Sequence, residues 1–151
     1  MTETTPSTGS TRTRGSGGVR VVGIIIAVLG LVFLVAGILT YATVSSTLDD
    51  QNITVSDDAD HFAGEEVKDP LTAWAQADII NDHALEIGGG KTYAELPQDD
   101  PDRETVMTAS FLQASLFTSV VAFGVAAFVA VMGVILMLLG WCLVRLSRRV
   151  V

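Results

Sequence analysis

The hydrophobic positions of this sequence are concentrated in two long runs that are separated by a polar segment. The first run, Val21 to Leu48, contains no acidic or basic residue over 28 positions. A helix needs only about 20 apolar residues to cross the roughly 30 Å of hydrocarbon in a bilayer. The run is also longer than the apolar region of a cleaved signal peptide, which covers about 7 to 15 residues. It predicts a first transmembrane helix over residues 21–44.

The second run, Thr105 to Val144, has 40 residues without a charge. As one helix it would be about 60 Å long, so only part of it can lie in lipid. Its most apolar part ends at Trp141, a residue type typical of the membrane interface, and is followed by Arg145. The second transmembrane helix is therefore predicted over residues 118–144. The mixed polar and apolar residues before it predict that the same helix continues out of the membrane.

Between the two runs, two Asp-Pro pairs indicate helix starts, because the carboxylate accepts free backbone N–H groups and proline has none to lose. One helix is predicted over about 70–87, ending at three glycines, and another from about 101 into the second crossing. Residues 52–56 are predicted as a short strand or an extended segment. The first of these helices has an apolar stripe at helical spacing, formed by Leu71, Trp74, Ala77, Ile80, Ala84 and Ile87. We expect this stripe, with Trp74, to be buried against the protruding end of the second crossing.

The charged residues are segregated along the chain. From Asp49 to Glu104 there are 16 acidic and three basic residues, a net charge of −13, whereas the two ends together have one acidic residue and six arginines, a net charge of +5. Basic residues that flank membrane helices stay preferentially in the cytoplasm. The chain is therefore predicted to lie in the cell membrane with both termini in the cytoplasm. The acidic segment, residues 45–117, is predicted to be extracytoplasmic. Together with 49% hydrophobic residues, this distribution excludes a soluble enzyme and a nucleic-acid-binding protein.

The two ends of the chain are predicted to be cytoplasmic tails. Residues 1–18 are mainly Ser, Thr and Gly and have almost no apolar residue that could form a core, so we expect a disordered tail. Residues 145–151 form a short basic tail after the second crossing, which is typical of a stop-transfer flank.

Each predicted crossing has one stripe of small residues with a period of seven. The stripes are Gly23, Gly30 and Gly37 in the first crossing, and Ser119, Ala126, Gly133 and Gly140 in the second. Seven residues return to within about 20° of the same helix face. When two helices pack antiparallel, the numbers of every two facing residues add up to the same value. One such value pairs Gly23 with Gly140, Gly30 with Gly133 and Gly37 with Ala126. The stripes predict a close helical hairpin or, alternatively, a contact between copies of the chain.

The residues that could carry chemistry are few and scattered. His61 and His83 have no metal-binding spacing between them, and Cys142 is the only cysteine. Two acidic groups could hold Ca²⁺ or Mg²⁺ through carboxylate oxygens, although neither has the order of a calcium-binding loop. They are Asp57, Asp58 and Asp60 with Glu65 and Glu66, and Asp99, Asp100 and Asp102. The sequence predicts no catalytic, cofactor-binding or metal-ligating residue.

Four segments resemble one family of membrane proteins. They are ITVSDDA (Ile53 to Ala59), AQADIINDHAL (Ala75 to Leu85), GGKTYAEL (Gly89 to Leu96) and RETVMTASFLQASLFTSVVAFGVAA (Arg103 to Ala127). The chain is similar, over roughly Val21 to Arg145, to small two-span actinobacterial membrane proteins of unknown function. Many of these carry the label of aromatic ring-opening dioxygenase. That activity needs iron, usually on two histidines and a carboxylate, which two separate histidines in an acidic segment do not supply.

The sequence as a whole predicts an all-α membrane protein. We expect a two-span antiparallel transmembrane hairpin with a small, mainly helical extracytoplasmic cap. The expected function is non-enzymatic, as an accessory or interaction protein of the cell envelope whose partners are the lipid bilayer and another membrane or envelope protein, or a second copy. Tyr93 and the acidic loops would form its exposed recognition surface, together with Trp74 if that residue is exposed and not buried. The alternative is an acidic extracytoplasmic module that binds or senses a divalent metal.

Overall fold

The computed structural model describes residues 15–148, and these residues form three helices without a β-strand. Helix α1 is Gly15–Asp49, α2 is Pro70–Ile87 and α3 is Arg103–Ser147. The predicted all-α class is confirmed for this part of the chain. The segment over residues 52–56 is extended and contains one isolated bridge, from Thr54 to Glu66.

The predicted tails lie mostly outside the described residues. Residues 1–14 and 149–151 are not among them. The remaining part of the predicted disordered tail, residues 15–18, lies in α1, which begins before the first apolar run. The prediction of disorder is therefore wrong for these four residues.

Helix α3 begins at Arg103, two residues later than predicted. The carboxylate of Asp100 accepts a hydrogen bond from the backbone N–H of Asp102 at 3.0 Å. The Asp-Pro pair therefore forms a turn that leads into the helix. The first hydrogen bond between residues four apart, as in an α-helix, follows this turn and runs from the N–H of Val106 to the carbonyl of Asp102.

Helices α1 and α3 are both long and apolar enough to cross a membrane. In the most apolar 18-residue window of each helix only 17% of the residues are buried. A core helix of a soluble protein would be mostly buried, so these apolar faces point out of the protein. Among the exposed apolar residues of the two helices, Ile25, Leu39, Val121 and Phe128 are 60 to 65% exposed.

The described residues form two compact units. The first comprises residues 15–32 and 132–148, and the second comprises residues 33–131. In the first unit, a Cβ atom added to Gly30 would lie 2.6 Å from the carbonyl oxygen of Gly133, and one added to Gly140 would lie 2.5 Å from that of Gly23. Real Cβ atoms do not approach other atoms so closely. These buried glycines therefore let the two backbones meet directly, in pairs that the small-residue stripes predict.

In the second unit, the same kind of contact is made by Gly37, where an added Cβ would lie 2.7 Å from the carbonyl oxygen of Ala126. One turn further along α1, the ring of Tyr41 packs on Phe123 with 4.8 Å between the ring centroids. A buried hydrophobic cluster follows and joins both helices to α2 and to the loop before it. Its members are Leu48, Val55, Val67, Ala73, Ala75, Ala77, Leu116 and Phe123.

Helix α2 has the predicted ends, each for a local reason. At its start the carboxylate of Asp69 accepts hydrogen bonds from the backbone N–H groups of Leu71 and Thr72, and the hydroxyl of Thr72 accepts one from the N–H of Asp69. This capping box satisfies donors that the first turn leaves free. After Ile87 the chain turns at Gly88, where an added Cβ would lie 2.5 Å from the carbonyl oxygen of Lys91.

The buried face of α2 differs from the predicted stripe. Ala77 and Ala84 are buried as expected, but Leu71, Trp74 and Ile87 are 61%, 43% and 44% exposed. The prediction that Trp74 is buried is wrong. The face in contact with the rest of the unit is instead formed by smaller residues, which allow close approach of the preceding loop and of α3. They are Thr72, Ala73, Ala75, Gln76, Ala77 and Ala84.

Candidate functional site

The loop between α1 and α2 has a defined conformation although it contains few regular hydrogen bonds. The backbone N–H of Val55 donates to the carbonyl of Glu65 at 2.9 Å, and that of Val67 donates to the carbonyl of Ile53 at 2.8 Å. The side chains of Val55 and Val67 are buried in the hydrophobic cluster. The loop is thus folded back on itself and held by two valines, which leaves its acidic side chains on the outside.

Two side-chain contacts attach this loop to α2. The backbone N–H of Ser56 donates to the side-chain oxygen of Gln76 at 2.9 Å. On the surface, Nε2 of His83 lies 2.6 Å from a carboxylate oxygen of Asp58. The hydrogen bond to His83 lowers the pKa of Asp58 below its ordinary value, and a backbone hydrogen bond acts in the same direction. The sequence did not indicate this pair, whose members are 25 residues apart.

The loop and α2 together form an acidic cavity of about 80 Å³. Two of its carboxylates, Asp58 and Asp60, come from the loop, and two, Asp78 and Asp82, come from successive turns of α2. The other lining residues include His61 and Trp74. The structure therefore brings the first predicted acidic group beside the exposed tryptophan of α2.

The arrangement of these carboxylates does not fit a metal site. Within residues 15–148 no group of three or more His, Cys, Asp or Glu side chains is placed so that it could hold a metal ion. Individual carboxylates have other partners: Asp58 pairs with His83, Glu66 lies 3.2 Å from the Lys68 ammonium, and Asp100 caps its own turn. The pKa of Lys68 is raised, chiefly by its hydrogen bond to Glu66.

The remaining sequence candidates lie apart from this cavity. The ring of Tyr93 is under the guanidinium of Arg103, with 4.3 Å between the Arg103 Cζ and the ring centroid. Arg103 also donates hydrogen bonds to the carbonyl oxygens of Tyr93, at 3.1 Å, and of Leu96. Tyr93 therefore serves to hold the loop before α3. Cys142 is exposed near the end of α3 and is not disulfide-bonded.

A second, larger cavity of about 440 Å³ lies between the end of α1, the middle of α2 and α3. None of its lining residues is charged. Thr47 and Thr118 line it with hydroxyls that already donate to carbonyls of their own helices, at 2.8 and 2.7 Å. Its lining also includes Val44, Ile80 and Ala122. This cavity therefore offers an apolar space without a charged anchor for a ligand.

Comparison with models of protein families, with curated proteins and with solved structures found no match to this chain. The fold and the surface define a helical chain that has two helices able to cross a membrane and a folded acidic segment between them.

Proposed function

We propose that this chain is an integral protein of the cell membrane that crosses the bilayer twice, over residues 21–44 and 118–144. The low burial of both apolar helices supports this, because lipid is the solvent that such exposed side chains require. In this arrangement both termini are cytoplasmic, where the arginines of the two ends satisfy the positive-inside rule. The acidic segment, residues 45–117, is the extracytoplasmic cap.

We propose that the small-residue stripes form an intramolecular hairpin and not a contact between copies of the chain. Lipid removes most of the hydrophobic drive for association of helices, so packing in a membrane depends on close approach of backbones. The neighbours of Gly30 and Gly37 belong to α3 of the same chain, Gly133 in the first unit and Ala126 in the second. The resemblance to small two-span membrane proteins agrees with this architecture and remains part of the proposal.

The proposed function is non-enzymatic: an accessory or interaction protein of the envelope that acts by contact. One observation carries this proposal, which is the placement of four aspartates from two elements around one surface cavity. Ala75 lines the cavity and belongs to the buried cluster, and the Gln76 hydrogen bond attaches the loop to α2, so both hold that surface in a defined shape. A surface of fixed shape and strong negative charge fits a basic surface on the extracytoplasmic part of another envelope protein.

Site-specific photo-crosslinking in the native membrane tests this function. A photoreactive amino acid at Asp78, which is exposed and lines the cavity, should give one defined adduct. The control is the same amino acid at Asp99, which is also acidic and exposed but lies in the loop before α3. Neutralising Asp60 and Asp82 to asparagine should weaken the Asp78 adduct. Equal adducts at both positions, or none at Asp78, would contradict a specific contact.

A further inference from the structure

The exposed apolar residues at the start of α2 lie at the level of the predicted membrane boundary. Residue 45 directly follows the first predicted crossing, and the hydroxyl of Ser45 donates to the carbonyl of Lys68 at 2.7 Å. Helix α2 begins two residues later, at Pro70. Leu71 and Trp74 are in its first turns and are 61% and 43% exposed.

The other contacts of α2 give its direction relative to α3. Gln76 and Ile80, in its middle, line the same cavity as Thr118 and Ala122, at the boundary of the second predicted crossing. Toward its end, Ile87 lines a cavity with Glu104, Thr105, Thr108 and Ala109 of α3. Residue 104 lies about 20 Å from residue 118 along the helix, at about 1.5 Å per residue. Helix α2 therefore runs antiparallel to α3, and its start is the end nearer the membrane.

We propose that Leu71 and Trp74 form an anchor that seats the cap on the headgroup region of the extracytoplasmic leaflet. The inference rests on the proposed membrane crossing and adds a lipid contact outside the two spans. Tryptophan prefers this region because its ring is apolar and its N–H needs a polar partner. In the same unit, α1 and α3 expose apolar residues, among them Leu39 and Val121, on the membrane side of this predicted boundary.

Charge near the anchor points to a zwitterionic rather than an anionic lipid surface. Lys68, which precedes α2, is paired with Glu66 at 3.2 Å, and Asp69 caps the first turn of α2. Trp74 itself lines the cavity that contains Asp58, Asp60, Asp78 and Asp82. These carboxylates would repel an anionic headgroup. The anchor should therefore seat on phosphatidylcholine without any requirement for acidic lipid.

Tryptophan fluorescence in phosphatidylcholine proteoliposomes tests the anchor, because the chain has only two tryptophans. A Trp141→Phe variant leaves Trp74 as the reporter. A lipid with a nitroxide near the headgroup should quench the Trp74 fluorescence more strongly than a lipid with a nitroxide deep in the acyl chain. Aqueous acrylamide, a neutral quencher that the four aspartates beside Trp74 do not repel, should quench it several-fold less than a tryptophan placed by Ile87→Trp in a variant that lacks both native tryptophans. Ile87 is a matched control because it is 44% exposed and lies at the far end of α2.

The Trp74→Phe variant separates failure of this inference from failure of the membrane proposal. It leaves Trp141, which belongs at the cytoplasmic boundary of the second crossing and should be quenched by the same shallow lipid nitroxide. If Trp141 is quenched and Trp74 is instead open to acrylamide, or is shielded from both quenchers by a second copy, the anchor is refuted and the crossing stands. If neither tryptophan responds to lipid nitroxides, the membrane crossing fails and the anchor fails with it.

Discussion

Gly30 of α1 and Gly133 of α3 lie so close that a Cβ atom on Gly30 would be 2.6 Å from the Gly133 carbonyl oxygen and 2.7 Å from the Met137 nitrogen. Both of these atoms belong to the backbone, so neither can be moved aside by a change of side-chain rotamer. A methyl group at Gly30 would therefore push the helices apart at this point. Gly124 differs, because an added Cβ there meets no atom within 4 Å.

The contrast between these glycines predicts opposite effects of the same substitution. Gly30→Ala should destabilise the protein by about 1 to 3 kcal/mol, the usual cost of overpacking. Gly124→Ala should leave stability unchanged or raise it, because alanine favours a helix over glycine by about 0.8 to 1.0 kcal/mol. SDS-induced unfolding in mixed micelles, followed by circular dichroism, measures both. Equal effects of the two substitutions would show that Gly30 is not at a tight helix contact.

Arg103 is predicted to hold the loop before α3 in place. Its guanidinium binds two loop carbonyls and covers the Tyr93 ring, so Arg103→Ala should cost about 1.5 to 3 kcal/mol, the range for hydrogen bonds of charged groups. The loop should then open, and trypsin should cleave after Lys91 faster, as measured by mass spectrometry of the purified protein. Lys68→Ala is the control, because its solvent-exposed pair with Glu66 should contribute little to stability. Unchanged cleavage after Lys91 in the Arg103 variant would refute this role.

The Asp58–His83 contact predicts a pH dependence of the cap. Because the pKa of Asp58 is lowered in the folded protein, the pair stabilises the fold above the unfolded pKa of the carboxyl group. This contribution should be lost as the pH falls through the lowered folded pKa. His83→Phe removes the hydrogen bond, so the pKa of Asp58 should rise toward its ordinary value in a carbon-detected NMR titration of the carboxyl groups.

Glu95 provides the internal control for that titration. Its pKa is also lowered, but by hydrogen bonds from the backbone N–H and the hydroxyl of Thr92. The pKa of Glu95 should therefore stay the same in the His83→Phe variant. A common rise at Asp58 and Glu95 would indicate a general loss of structure, and no change at Asp58 would show that His83 is not its partner.

Local signals in the sequence were sufficient for the helices and for the facing glycines. The Asp69-Pro70 pair predicted the start of α2, because a carboxylate and a proline satisfy the first turn whatever surrounds it. The pairing of Gly30 with Gly133 followed from the seven-residue period, since one constant sum applies along two antiparallel helices. Both predictions depend only on helix geometry and not on the tertiary contacts of the cap.

The features that the sequence did not predict depend on how an irregular loop packs. The stripe of α2 placed Trp74 in the core because large apolar residues usually dominate a buried face. Here the loop valines Val55 and Val67 fill that core against small residues of α2, and Trp74 is left outside. The Asp58–His83 pair was missed for the same reason, because no periodic pattern relates a loop residue to a helix residue 25 positions away.

Cysteine labelling of intact cells tests the proposed topology most directly. In a Cys142→Ser background, Gln98→Cys reports on the exposed loop of the cap and Ser10→Cys reports on the N-terminal tail. The account predicts that a membrane-impermeant maleimide labels the cysteine at position 98 in intact cells, and the one at position 10 only after the membrane is opened. Labelling of position 10 in intact cells, with position 98 protected, would contradict the account.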